Sequence, residues 1–317
     1  MKALVTGAAG FIGSTLATTL TDRGVPVVGL DCFTDYYARE VKERNLADLR
    51  SRRAFQFVED RLQTADLDSL LDGVTHVFHL AAQAGVRGSW GTQFQTYTSH
   101  NVDSTQRLLE ALKGRPITKL VYASSSSVYG DAAAIPMRED AYLQPVSPYG
   151  VTKLAAEHLC HLYFVNHGVP AVSLRYFTVY GPRQRPDMAF HRFIRAALLG
   201  EPISLFGDGE QTRDFTFIDD IVAATIAAGD RGQPGRVYNI GGGSRVTINQ
   251  VLALIGRLTG RTLDVRRLPA EKGDMRDTFA DTTRARQDLA FTPTHSLESG
   301  LAAECAWLAG LVGQPLS

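Results

Sequence analysis

The chain has 317 residues, 44% hydrophobic and 21% charged, with 33 basic and 33 acidic side chains and no formal net charge. This is ordinary globular composition, and it lacks the bulk basic excess of a nucleic-acid binder. Cys32, Cys160 and Cys305 lie far apart without a CxxC pair, so no disulfide framework is expected. No leader is expected ahead of the first predicted strand, and no apolar run reaches about 18 residues. The expected setting is the cytoplasm, with no membrane partner.

The first half alternates β-branched runs with helical patterns. Strands are predicted over 3–6, 25–30, 55–58, 76–79, 120–123 and 171–175. Helices are predicted over 11–23, ended by Gly24, over 101–112, ended by Gly114, and over 149–166. Buried strands alternating with helices mean an α/β protein with a doubly wound parallel sheet. Past Gly181 the regularity breaks at Pro182, Pro186 and Pro202, and a smaller second α/β unit is expected. A helix over 218–228, capped by Asp219-Asp220, and a strand over 237–240 are expected to return to the main sheet.

Gly7, Gly10 and Gly13 form G-x-x-G-x-x-G between the first strand and the first helix. One glycine permits the tight turn, one lets backbone approach a pyrophosphate, and one lets helix and strand pack closely. The helix start, with Phe11 and Ile12, offers N–H groups and partial positive charge to phosphates. Asp31 lies 18 residues beyond Gly13, at the end of the second strand. A carboxylate there takes an adenosine ribose diol and repels a 2′-phosphate, so NAD is expected over NADP.

Tyr149 and Lys153 stand at i and i+4 of a helix started by Ser147-Pro148. An ammonium beside the phenol, with the nicotinamide charge nearby, is expected to lower the tyrosine pKa from about 10 and yield a base near neutral pH. The run Ser124-Ser125-Ser126-Ser127, followed by Val128-Tyr129-Gly130, suits a strand mouth facing a ligand.

These segments resemble the extended short-chain dehydrogenases/reductases of the NAD-dependent epimerase/dehydratase family, over nearly the whole chain. The resemblance implies a Rossmann domain over 1–180, joined by a returning segment of about 214–243. Residues 181–213 and 244–317 would then form most of a smaller substrate-binding domain. It makes Ser125 the catalytic hydroxyl, four residues before Tyr129. Ser124 is structural by this reading and Ser126 faces substrate. Leu80, Ala81 and Ala82 would lie along the cofactor, with His79 packed beside them. The adenine contact falls on Arg61-Leu62, because Asp60 comes one position early. Asn101, Tyr176 and Thr178 complete the implied cofactor contacts.

Sugar-nucleotide 4,6-dehydratases carry Asp-Glu after the catalytic hydroxyl, and the related decarboxylases carry Glu at the second position. Here those positions are Ser126 and Ser127. The machinery that remains is that of a 4-epimerase. Tyr149 takes the O4 proton as hydride leaves C4, the 4-keto sugar rotates, and the hydride returns to the other face. Arg185-Pro186-Asp187-Met188-Ala189, Asp35-Tyr36-Tyr37 and Gly85-Val86-Arg87 resemble the UDP-glucuronate 4-epimerases. Thr178 stands where most members have Asn, which implies an altered sugar or diphosphate contact.

A buried uronate carboxylate needs a cationic partner, and Arg185 can offer a planar bidentate fork. The diphosphate and a structural salt bridge remain open for Arg185. Ser126 and Thr178 are added donors, and Arg87 and Met188 belong to the same side. In the clamp segment 205–215, Phe206 would border uracil and Arg213 the diphosphate. Gly273-Asp274 resembles a further stretch near the nucleotide, with Arg276 replacing a cation that is absent at Glu271. Rival readings are a 4-epimerase for UDP-glucose, UDP-galactose or their N-acetyl forms, a decarboxylase, and a non-catalytic NAD sensor. His158-x-x-His161 lacks a third ligand, so no metal is expected. Helices 101–112 and 149–166, with His158, Cys160 and His161, resemble the family's homodimer face.

Overall fold

The computed structural model describes residues 1–131, 134–269, 275–314 and 316. Six strands come first in chain order: β1 (Ala3–Thr6), β2 (Val27–Asp31), β3 (Phe55–Glu59), β4 (His76–His79), β5 (Lys119–Ser125) and β6 (Ala171–Tyr176). Seven shorter ones follow: β7 (Val179–Tyr180), β8 (Ile203–Phe206), β9 (Thr212–Asp214), β10 (Thr216–Phe217), β11 (Val237–Ile240), β12 (Arg245–Thr247) and β13 (Val265–Leu268).

The main sheet has seven strands in the order β11-β6-β5-β4-β1-β2-β3, all parallel. From β1 the chain adds strands outward through β2 to β3 and then returns to add β4, β5 and β6 on the other side, so the strand order reverses between β1 and β4 and makes the doubly wound switch point expected from the alternation. β2 begins two residues later than predicted. Pro26 has no N–H to donate, so the ladder starts at Val27, whose amide reaches Ala54 O at 2.8 Å. β5 runs on into the serine cluster, since Ser124 and Ser125 still pair with Arg175 and Tyr176.

The predicted helix over 101–112 divides into a π-helical turn, Thr98–Asp103, and an α-helix, Ser104–Leu112. The returning helix spans Ile218–Arg231 and packs on helix Phe11–Asp22, while β11 pairs with β6. Asp219 and Asp220 do not cap it. They fall in its first turn, with Phe217 at the N-cap. The Asp220 carboxylate instead accepts from the Thr294 and His295 amides at 3.0 and 3.2 Å, tying down the segment before helix Leu297–Val312.

Beyond β6 the strands other than β11 pair in twos: β7 with β10, β8 with β13 and β9 with β12. Helices Ala189–Leu199, Ile248–Thr259 and Leu297–Val312 pack together here around Phe190, Ile194, Val251, Leu301 and Leu308. Helix Pro148–His167 turns Cys160 into the core at 1% exposure, so this cysteine does not belong to the predicted dimer face. His158 and His161 are exposed. No helix among the described residues is long and apolar enough to cross a membrane.

Candidate active site

The turn after β1 is shaped by close approach. Gly7 has φ +73°, and a Cβ there would come 2.9 Å from the Ala81 amide nitrogen. A Cβ on Gly13 would meet Gly7 O at 2.0 Å. The glycines therefore bring helix Phe11–Asp22 against β1 and leave open backbone beside the β4 loop. A cavity runs along this backbone. It is lined by Gly7, Gly10, Phe11, Ile12, Gly13, Asp31, Leu62, Leu80, Ala81 and Ala82, and at its far end by Tyr149, Lys153 and Tyr176. Its length of bare backbone, its helix N-terminus and its terminal carboxylate fit a dinucleotide.

Asp31 accepts hydrogen bonds from the Ala9 and Phe33 amides at 3.1 and 2.9 Å. Lys42, which sequence reasoning missed, stands 3.6 Å from the same carboxylate and also lines the cavity. Three sequence expectations need correction here. Arg61 is exposed and does not line the cavity, whereas Asp60 does. The Asp60 carboxylate accepts from the Arg61 amide at 2.7 Å and from Thr64 at 2.9 Å, a local turn that points Arg61 outward. Asn101 is buried at 1% exposure and spends its amide on Gln83 N, Gln83 O and Thr152. It fixes the β4 loop to helix Pro148–His167 rather than facing the cavity. Thr178 lies away from this cavity and lines only the next one.

The second, larger cavity adjoins the first at Phe11, Tyr149, Tyr176 and Arg185. It gathers Arg87, Ser126, Thr178, Met188, Phe206 and Arg213, six of the residues that the sequence assigned to a substrate side, together with Ser125. Arg87 stacks over the Phe206 ring at 4.3 Å. Arg276 is a fourth correction. Its side chain is 73% exposed toward Asp208, and Met275 lines the cavity instead. Asp274, with Gly273 and Glu271, lies outside the described residues.

Tyr149 sits where the cavities meet, hydrogen-bonded to Ser125 and edge-on to Tyr97 at 6.3 Å. Ser125 Oγ also accepts from the Ser127 amide at 3.1 Å, which orients it. Burial raises the Tyr149 pKa, against the opposing effects of the Ser125 hydrogen bond and the Arg185 charge. The helical spacing pointed to Lys153 as the lowering charge. Burial lowers Lys153 itself to about 7, and its ammonium lies over the Tyr122 ring at 4.5 Å. Desolvation thus outweighs the pair attraction in the protein alone. His79 bonds Thr6 and Thr105 through its two ring nitrogens at 2.8 and 2.9 Å, and burial lowers it to about 3. It is a packed histidine. Ser124 bonds the buried Glu157 at 2.6 Å and is structural. Among the described residues no three His, Cys, Asp or Glu side chains are grouped to hold a metal ion.

Residues 3–241 match the model of the NAD dependent epimerase/dehydratase family. The chain belongs to this family. It is 47% identical over 315 residues to an uncharacterized UDP-glucose epimerase, YtcB, of Bacillus subtilis, covering 98% of this chain and 99% of the relative. It is 38% identical to a UDP-glucuronate 4-epimerase of Thermodesulfobacterium geofontis, over 96% of this chain and 95% of that one. A crystal structure of a UDP-glucuronic acid 4-epimerase from Bacillus cereus, in complex with UDP-glucuronic acid and NAD, superposes with a TM-score of 0.95 at 45% identity, over 98% and 100% of the two chains.

For a member of the epimerase/dehydratase family, the mouth of β5 is plain. It presents hydroxyls at Ser125, Ser126 and Ser127 and no carboxylate. Sequence reasoning passed over Tyr36, Lys42, Gln83, Asp187 and Met275 as lining residues. Only Tyr36 and Asp187 carried a signal, within the two short segments that resembled the glucuronate subgroup. Lys42 carried none, because its approach to Asp31 depends on how helix Arg39–Leu46 packs beside helix Phe11–Asp22.

Proposed function

We propose that the protein is an NAD-dependent UDP-glucuronate 4-epimerase, interconverting UDP-glucuronate and UDP-galacturonate. The observation that carries this reading is Arg185 at the junction of the two cavities, beside Tyr149, with only hydroxyls at the mouth of β5. NAD in the first cavity supplies the hydride acceptor at C4 and the hydride that comes back.

The chain's own residues do the rest. Tyr149 removes the O4 proton and later returns it, with Ser125 donating to the phenolate. Lys153, which lines the first cavity, would hold its ammonium toward a ribose hydroxyl of the dinucleotide. Phe206, Arg213 and Arg87 hold the nucleotide, so the sugar alone turns. Arg185 pairs with the C6 carboxylate. Once C4 is a ketone, the sugar is a β-keto acid, and carbon dioxide leaves most easily when the C5–C6 bond aligns with the carbonyl π system. A bidentate guanidinium holds the carboxylate away from that alignment. Ser126 and Thr178 add donors, and Asp274 is proposed to stand near the nucleotide.

Two relatives named as UDP-glucuronate epimerases support this reading. A second reading, a UDP-glucose 4-epimerase, is favoured by the name of the Bacillus subtilis relative. Arg185→Ala separates the two. Losing a charge-assisted contact costs about 1.5–3 kcal/mol, roughly ten- to a hundredfold. The variant is expected to lose that much kcat/KM on UDP-glucuronate, far less on UDP-glucose, and to release some pentose product. An equal loss on both sugars would overturn the assignment.

We further propose the division into a Rossmann part (1–180 with 214–243) and a substrate part, and a homodimer through helices Ser104–Leu112 and Pro148–His167. Exposed Val151, Leu162 and Val165 on the second helix support the dimer. Three unpaired cysteines fit the cytoplasm.

A further inference from the structure

Arg185 is already engaged. Its Nε and Nη2 reach the two carboxylate oxygens of Asp187, both at 2.9 Å, the fork geometry by which a guanidinium takes a carboxylate. The two side chains are 22% and 30% exposed, and both line the larger cavity. The backbone that carries them is pinned. Gln184, 2% exposed, donates to Val179 O at 3.1 Å and accepts from the His191 amide at 2.8 Å. Met188 N closes a turn on Arg185 O at 3.1 Å. Any exchange of partners therefore falls to the side chains. A second partner for Asp187 stands ready, since the Tyr36 hydroxyl lies 3.4 Å from Oδ2.

We propose that Asp187 is an internal stand-in for the substrate's carboxylate, a specificity-determining residue that holds Arg185 until a uronate displaces it. This rests on the reading that Arg185 meets the uronate. The sign does not depend on which edge of the guanidinium the uronate takes. On the Nε/Nη2 edge it must displace Asp187. On the Nη1/Nη2 edge it sits across the same guanidinium from a second negative charge, which opposes it. Either way the Asp187 charge weakens binding of an anionic sugar and leaves a neutral sugar facing a neutral pair. The pair also spares the empty site a half-buried unpaired cation. In the bound state Asp187 turns to Tyr36, and Arg185 is released to the uronate when the sugar enters.

The test is calorimetric titration of NAD-loaded protein carrying Tyr149→Phe, so that neither sugar turns over. Adding Asp187→Asn keeps the shape and an acceptor oxygen but removes the charge. It is expected to lower the Kd for UDP-glucuronate on the order of tenfold relative to UDP-glucose, which serves as the reference for the shared diphosphate. Asp187→Ser should act in the same direction, which guards against a folding defect in one variant. With Arg185→Ala also present, the relative tightening should vanish, as expected for coupled residues. If Asp187→Asn and Asp187→Ser leave the ratio unchanged or weaken UDP-glucuronate, while Arg185→Ala alone still weakens it selectively, the stand-in role is overturned and the uronate reading survives. If Arg185→Ala weakens both sugars equally, the uronate reading falls and this inference falls with it.

Discussion

At the scale of single residues, the proposed chemistry turns on Tyr149. Its pKa is raised by burial, so the phenol is a poor base until its surroundings favour the anion. Ser125 and Arg185 already act in that direction, and a cationic nicotinamide adds to them. Tyr149→Phe keeps the ring and removes the proton carrier. It is expected to cut kcat at least about 10²-fold with the fold intact, checked by turnover alongside circular dichroism. Near-normal turnover would refute the role. That Tyr149, Lys153 and Ser125 line the adjoining cavities was legible in the chain because their signals are local: an i, i+4 pair after Ser-Pro and hydroxyls at a strand end. Arg61, Arg276 and Asn101 misled because side-chain direction there is set by partners far along the chain or by one turn. Asp60 curls onto its own loop, Met275 takes the inward position, and Asn101 is consumed by Gln83 and Thr152.

At the scale of elements, helix Pro148–His167 carries the site and is locked in place along its length. Ser147 Oγ accepts from the Gly150 amide at 3.1 Å, capping the start just before Tyr149. One turn past Lys153, Glu157 receives Ser124 Oγ at 2.6 Å and the Arg175 guanidinium at 2.6 and 3.1 Å. One carboxylate thus ties this helix to β5 and β6, with both partners of the ion pair near 5% exposure or less. Removing one member leaves the other charged and unpaired in the interior, which costs about 3–5 kcal/mol. Glu157→Ala is expected to lose that much stability in urea unfolding, whereas Ser147→Ala should lose about 1 kcal/mol. A Glu157→Ala protein within about 1 kcal/mol of wild type would show that the network holds nothing together. The strands of the main sheet were readable within a residue or two, because continuous apolar runs bounded by glycine and proline mark buried parallel strands. The two-stranded pairs beyond β6 were not. They are three or four residues long or shorter and join segments up to 62 residues apart in sequence, as β8 and β13 do between Ile203 and Val265, so no local period announces them.

At the scale of the whole molecule, the sheet brings the strand ends carrying Gly7, Asp31, Ala81 and Ser125 to one rim, where α/β sheets bind ligands. The segments beyond β6 lay Thr178, Arg185, Phe206 and Arg213 over that rim. The return of β11 to the sheet was foreseeable, because an apolar helix followed by a β-branched strand repeats the alternation of the first half. The pairing of Arg185 with Asp187 was not, since both lie in a proline-punctuated loop without periodicity. The central claim is that this assembly inverts C4 of a UDP-uronate. The most direct measurement incubates the purified protein with UDP-glucuronate and follows the sugar by proton NMR. The account predicts UDP-galacturonate as the main product, without net oxidation and with little pentose. Unchanged UDP-glucuronate under conditions where UDP-glucose is converted to UDP-galactose would contradict it.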